Sequence, residues 1–167
     1  MWFKNLKIKS KIFAGFSVVL ILMLSVSIGV YLSTTSMIDT FKWVDHTNKV
    51  IAEANNLVKL LVDQETGARG FLITGKDEFL APYNNGITDF ERSIEELKNT
   101  VSDNPAQVER LNSLSNEHTA WKKDIIDPMI QLRRDVISGT YSLEMLIEEE
   151  QKAKGKQGMD RMRGIVA

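Results

Sequence analysis

Residues 37–75 read MIDTFKWVDHTNKVIAEANNLVKLLVDQETGARGFLITG. Within this stretch Met37, Phe41, Val44, Asn48, Ile51, Asn55, Val58, Val62, Glu65, Arg69 and Leu72 follow one another in alternating steps of four and three. That spacing places them along one side of a single long α-helix. Asn48, Asn55, Glu65 and Arg69 interrupt the apolar stripe with polar side chains. Thr74-Gly75 ends it, the glycine supplying the left-handed residue beyond a helix terminus.

Downstream the helical spacing continues. Asp77 is a candidate N-cap for a second helix, with Pro82 close enough to its start to delay the first regular turn. Ile87, Phe90, Ile94, Leu97 and Val101 carry the stripe to a turn at Ser102-Asp103-Asn104-Pro105. A third helix is expected through Val108, Leu111, Leu114, His118, Trp121, Ile125, Met129, Leu132 and Val136, kinked at Pro128, and broken at Ser138-Gly139-Thr140. A fourth, opening near Ser142, sets Glu148 against Lys152 and Glu150 against Lys154 at i,i+4 spacing. From Glu148 to Gly158 its only aliphatic side chain is Ala153, and its Glu and Lys heads read as a solvated face. No run alternates apolar and polar residues as a strand would. The expected class is all-α, an antiparallel, up-down four-helix bundle.

Upstream, no residue from Ile12 to Ile38 is charged. Ile12–Leu32 is the densest part, 21 residues or about 31 Å of helix, enough to cross a bilayer. Tyr31 stands at one edge of the span, Trp2 and Phe3 beyond the other, as interfacial aromatics do. A cleaved signal peptide would have a shorter apolar region and a small-x-small site behind it, for which Ser33 to Ser36 is a poor match. Lys4, Lys7, Lys9 and Lys11 precede the span and neutral residues follow it, which predicts a cytoplasmic N-terminus and an exported remainder. The expected division is a basic N-terminus over 1–11, a transmembrane helix over 12–32 and a bundle over 33–167.

Composition removes several functions. The chain carries 21 Lys and Arg against 22 Asp and Glu. All the charge before Asp39 is the four lysines, so the rest has a net charge of −5, which disfavours a nucleic-acid surface. Without cysteine there is neither a disulfide nor a thiolate zinc site. His46 has no second imidazole at i+4, and Asp124 with Asp127 are too few carboxylates for a closed cation site. Only His118 could ligate a haem, and on an apolar stripe it reads first as a hydrogen-bonded core histidine. No phosphate loop, nucleophile elbow or kinase signature is present, so neither catalysis nor a cofactor is expected.

Asp63-Gln64-Glu65-Thr66-Gly67-Ala68-Arg69-Gly70-Phe71-Leu72-Ile73-Thr74-Gly75, followed by Phe79-Leu80-Ala81-Pro82-Tyr83, resembles the signature of CHASE-type extracellular sensory domains of the third described type. The motif residues are Glu65, Thr66, Gly67, Arg69, Gly70, Phe71, Gly75, Pro82 and Tyr83, and the resemblance runs over roughly 39–167, through Met159-Asp160-Arg161-Met162-Arg163 in the last helix. It implies a periplasmic helical bundle in a receptor of the bacterial inner membrane. Outputs in that family are histidine kinase, methyl-accepting chemotaxis or diguanylate cyclase modules. With helices over 38–73, 78–102, 105–138 and 141–167, the last ends ~18 residues short of the membrane at ~1.5 Å per residue. Ala167 therefore reads as a fragment end, with a second span expected beyond it.

The same height arithmetic sets Glu65 and Arg69 level with Gly86, with His118 to Trp121 and with Lys154 to Gly158. A guanidinium facing a bundle interior must be paired, and Glu65 one turn earlier is its candidate partner. Two readings follow. Either Glu65 and Arg69 satisfy each other and fix register, or Arg69 anchors a ligand carboxylate with its planar fork and Trp121 is an apolar wall. Gly67 and Gly70 allow close approach or bending beside it. The candidate ligand-binding residues are Glu65, Arg69, His118, Trp121 and Lys154. The expected partners are the bilayer, a second copy packed through surplus apolar residues such as Leu57, Leu60 and Leu61 beside Val58, and a small-molecule or protein signal. The alternative is a membrane-anchored structural or docking module that dimerises without a ligand.

Overall fold

A computed structural model describes residues 7–166. The expectations placed on Trp2, Phe3, Lys4 and Ala167 lie outside the described residues. The chain divides into two units, Met1–Asn48 and Lys49–Ala167. Helix α1 (Ile8–Thr74) contributes to both.

In the first unit the large apolar side chains between Ile12 and Leu32 are all 53–74% exposed. Side chains this apolar and this exposed fit a surface that lipid covers. The hydroxyls within and just after the stretch turn back onto their own helix, Ser25 Oγ to Ile21 O at 2.8 Å and Thr35 Oγ1 to Tyr31 O at 3.0 Å. Neither hydroxyl is left without a partner, as a helix in hydrocarbon requires. Among the described residues α1 is the one helix long and apolar enough to cross a membrane.

The second unit is the bundle. Four helical rods form it: the C-terminal part of α1; α2 (Ala81–Thr100), entered through a 3-10 turn at Asp77–Leu80; α3 (Pro105–Trp121) continued by a π-helical turn (Lys122–Ile126) into α4 (Asp127–Ile137); and α5 (Leu143–Gln151) followed by α6 (Lys154–Val166). Cross-contacts fix their directions. Gln64 meets Gly86 while Asn56 meets Ser93, so α2 runs antiparallel to α1. Phe90 stacks on His118 while Tyr83 reaches Asp127, and Trp121 meets Gly155 while Glu117 meets Arg161, so each next rod reverses again.

The turns form for local reasons. Gly75, at φ 72°, returns its N–H to Phe71 O at 2.7 Å, and Arg133 donates to Ile73 O at 3.3 Å, so α1 ends with its last carbonyls occupied. Asn104 accepts from Gln107 N at 3.3 Å and Ser142 from Met145 N at 3.4 Å, capping α3 and α5.

Four expectations are corrected. The buried side of α1 is Leu57, Leu61, Gln64, Ala68 and Phe71, one residue away from the expected stripe and so about 100° round the helix. Both stripes have four-three spacing, but the one followed in the sequence was the one interrupted by Asn55, Glu65 and Arg69. Leu57 and Leu61, read as surplus surface, are fully buried core. Asp77 does not cap α2; it ion-pairs with Arg134 at 3.2 Å, and α2 begins one turn later with Pro82 in its first turn. In the third rod the irregularity precedes Pro128. The π turn closes with Asp127 N–H on Lys122 O, and its extra residue moves the buried seam from Trp121 to Ile126, Met129 and Ile130, leaving Ile125 half-buried. Pro128, which has no N–H to give, sits where the widened turn asks for none. The fourth rod is two helices, because Ala153 adopts φ 53° between them. Lys152 accordingly pairs with Glu149 within its own turn instead of with Glu148.

Candidate functional site

Two polar side chains are fully inside the bundle, and they satisfy each other. Gln64 donates from Nε2 to Gly86 O at 2.9 Å, which leaves its Oε1 to accept from His118 Nε2 at 2.7 Å. The imidazole thus carries its proton on Nε2. Its ring lies 4.2 Å from that of Phe90 and 6.2 Å from that of Trp121, centroid to centroid. Burial, with Lys122 as a lesser cause, pushes the His118 pKa down to about 4. The group is a neutral structural bridge between α1, α2 and α3.

Trp121, one turn further, is also fully buried. Its indole N–H donates to Gly155 O at 3.0 Å. The ring packs against Gly158, where an added Cβ would come within 2.2 Å of Cδ1. Glycine at 158 is what lets α6 approach α3 at this height.

In front of this layer lies a cleft of about 370 Å³. Glu65, Ala68, Arg69 and Leu72 of α1 form one wall, Asp124 to Ile126 with Met129 and Leu132 another, and Glu149, Glu150 and Lys154 with the α5–α6 junction the third. Its floor is apolar and its rim charged. Arg69 Nη2 holds Glu65 Oε1 at 2.7 Å, and Arg163 Nη2 stands 3.9 Å from Glu65 Oε2. The Arg69 side chain is 54% exposed while that of Glu65 is 16% exposed, so the guanidinium is at the rim and not inside the bundle as expected. Of the five sequence-derived candidates, Glu65, Arg69 and Lys154 meet at this cleft. His118 and Trp121 stand in the core and do not line it.

The motif residues mostly build the corner where α1 turns into α2. A Cβ on Gly67 would lie 2.7 Å from Tyr83 N and 3.0 Å from Phe79 O, so only glycine lets this backbone pass. Gly70 packs under the Phe79 ring, Phe71 is core with the Arg134 guanidinium 5.8 Å from its centroid, and Thr66 and Pro82 are exposed. Tyr83 OH donates to Asp127 Oδ1 at 2.6 Å, and Lys122 pairs with Asp127 Oδ2 at 3.0 Å. Burial first, then the Asp127 carboxylate, hold the phenol protonated well beyond its usual range.

The roles of Gln64, read only within the signature, and of Asp127, weighed only as a cation ligand with Asp124, are not what the sequence suggested. The first was legible, since Gln64 lies on the uninterrupted four-three stripe through Leu57, Leu61, Ala68 and Phe71. No sequence signal tied Asp127 to Tyr83. Among the described residues no group of three His, Asp or Glu side chains could hold a metal ion.

The sequence model of the CHASE3 domain family matches residues 40–167, from the middle of α1 to the end of the chain. The chain belongs to the CHASE3 domain family. It is a helical sensory domain of a signalling receptor. Among solved structures, the histidine kinase HK9 sensor domain of Rhodopseudomonas palustris shares the fold with a TM-score of 0.55 at 19% identity, over 71% of this chain and 88% of that one. No curated protein matches the chain. The CHASE3 signature thus has two uses here: Gly67, Phe71, Gly75 and Tyr83 shape the corner, and Glu65 and Arg69 reach the cleft.

Proposed function

We propose that this CHASE3 domain is the periplasmic sensor of a bacterial inner-membrane receptor, and that it detects a small molecule held in the cleft beside Arg69. The N-terminus lies in the cytoplasm and residues 33–167 outside, in accord with the lysines before the span. The domain regulates a kinase, chemotaxis or cyclase output and carries out no chemistry itself. The observation that carries the reading is the cleft, an apolar floor of Ala68, Leu72, Ile126 and Met129 beneath a rim guanidinium. A ligand with an apolar body and one carboxylate matches both parts. Two copies pack side by side, supported by Phe41, Val44 and Ile51 exposed along α1.

Three experiments test this. A reporter fused at residue 100 should be active only in the periplasm, and cytoplasmic activity would overturn the topology. Small aromatic and aliphatic carboxylates should raise the unfolding temperature of the wild-type chain but not of Arg69→Ala; the same shift in both would remove Arg69 from the site. Cross-linking of single cysteines over residues 41–58 should rise and fall with helical periodicity, and a flat profile would reject the dimer.

A second reading has one observation in its favour. Arg69 already has a partner in Glu65, as a register-fixing pair would. On that reading the bundle is a docking module with no ligand, and no carboxylate shifts its unfolding.

A further inference from the structure

Helix α5 is weakly held. Of its nine residues only Leu146 is buried. Among the described residues no hydrogen bond or salt bridge joins an α5 side chain to α1, α2, α3 or α4; Met145 N bonds Ser142 and Glu149 pairs with Lys152, both local. Helix α6 is fixed differently. It places Gly158, Met159 and Met162 in the core, gives Gly155 O to Trp121, and pairs Arg161 with Glu117 at 2.6 Å.

Left-handed residues flank α5, Gly139 in the turn that closes α4, four residues before Leu143, and Ala153 two residues after Gln151. Gly139 has φ 81° with nothing within 4 Å of an added Cβ, and Ala153 has φ 53°. Ala153 is the one non-glycine residue with positive φ among those described, a conformation that L-residues adopt under strain. Its N–H bonds back to Glu150 O and its carbonyl accepts from Gln157 N, each at 3.0 Å, so the two helices meet at this one residue.

The surface under α5 is unclosed on two sides. Glu149 and Glu150 border the cleft described above. Leu143, Leu146 and Ile147 line a second cavity of about 300 Å³ together with Leu72, Ile73 and Met129. Ile73 is 73% exposed there, and Leu143 and Ile147 are about half exposed. Apolar walls that face unfilled space gain when something fills or closes it. Arg69, Leu72, Met129 and Glu150 are common to both cavities, so a movement of α5 alters the two together.

The geometry points to α5 as a hinged lid of the sensory cleft, pivoting where the chain leaves the Gly139 turn at Tyr141-Ser142 and at Ala153, latched by Leu146, and closing over a ligand with an apolar body. This rests on the cleft being the ligand site. Closure buries Leu143 and Ile147 against Leu72 and Ile73 of the second cavity and draws Glu149 and Glu150 over the rim of the cleft, and rotation at Ala153 acts directly on the first turn of α6.

Hydrogen exchange of the full chain in lipid nanodiscs, read by mass spectrometry, tests the lid with 4-phenylbutyrate as probe. Without probe, α5 amides should exchange about 10-fold or more faster than those of α6, because α5 opens without the bundle. Equal protection of α5 and α6 would overturn the proposal. Leu146→Ala should speed α5 exchange about 10-fold further and leave α2 and α6 unchanged; a uniform loss of protection would make Leu146 an ordinary core residue and reject the latch. Saturating probe should slow exchange in α5. If the probe raises the unfolding temperature while α5 exchange stays the same, the lid fails and the cleft stands. If α5 is fast and latched as stated but the probe leaves unfolding unmoved, the hinge stands and this ligand class for the cleft fails.

Discussion

His118 Nε2 donates to Gln64 Oε1 across 2.7 Å, and this bond ties α3 to α1 through the only two polar side chains fully buried in the bundle among the described residues. It also makes the fold sensitive to acid. With its pKa at about 4 the folded imidazole stays neutral, whereas the unfolded one takes up a proton below its ordinary value of 6.5. The unfolded state therefore binds more protons in between, and stability falls as pH drops from about 6.5 to about 4. The expected loss is about 3 kcal/mol across that window. Denaturant unfolding at pH 7 and pH 4.5 should show it, and His118→Gln should flatten the difference.

Gly158→Ala places a methyl group against the Trp121 ring, which is itself fully buried and cannot retreat. A loss of about 1–3 kcal/mol is expected. Gly164→Ala, on the same helix with nothing within 4 Å, should instead stabilise by up to about 1 kcal/mol. Thermal unfolding of the two variants side by side separates contact from helix propensity.

Tyr83→Phe removes a donor to a carboxylate without changing the ring's packing. Asp127 keeps Lys122 at 3.0 Å, so the expected destabilisation is about 1.5–3 kcal/mol and not a collapse of the corner. Asp127→Asn should be partly additive with it, since the two share one bond. A double-mutant cycle by thermal unfolding checks this.

Arg69→Ala should change stability by less than about 1 kcal/mol, because the guanidinium is half exposed and Arg163 remains near Glu65. A loss of several kcal/mol would mean the pair is a buried register device after all. If receptor output is lost while unfolding is unchanged, Arg69 acts on the signal.

The helical bundle, its antiparallel order and the glycine stop at Gly75 were legible because spacing and turn chemistry are local. The phase of α1 was harder to read. Two stripes of equal spacing lie one residue apart, and only the polarity of Asn55, Glu65 and Arg69 separates them. The π turn at Lys122–Ile126 and the break at Ala153 escaped because each is imposed by packing: Ile126 and Trp121 must both face inward, and α6 must present Gly155 and Gly158 to the indole. The cleft escaped with them. Its position was approached through Glu65, Arg69 and Lys154, while His118 and Trp121 follow the core periodicity that first drew notice to them.

The contact of Trp121 with Gly158 limits how α6 can carry a message. The indole is a peg seated in the notch at Gly158, and its N–H is fastened to Gly155 O one turn away on α6. Sliding along the axis would break the bond to Gly155 O, and in one direction it would bring Met162, a turn beyond Gly158, onto the peg. Tilting about it leaves the notch engaged. If α5 swings at Ala153 as proposed, α6 would turn about Trp121, and the swing would reach Ile165 and Val166 reversed in direction instead of as a push.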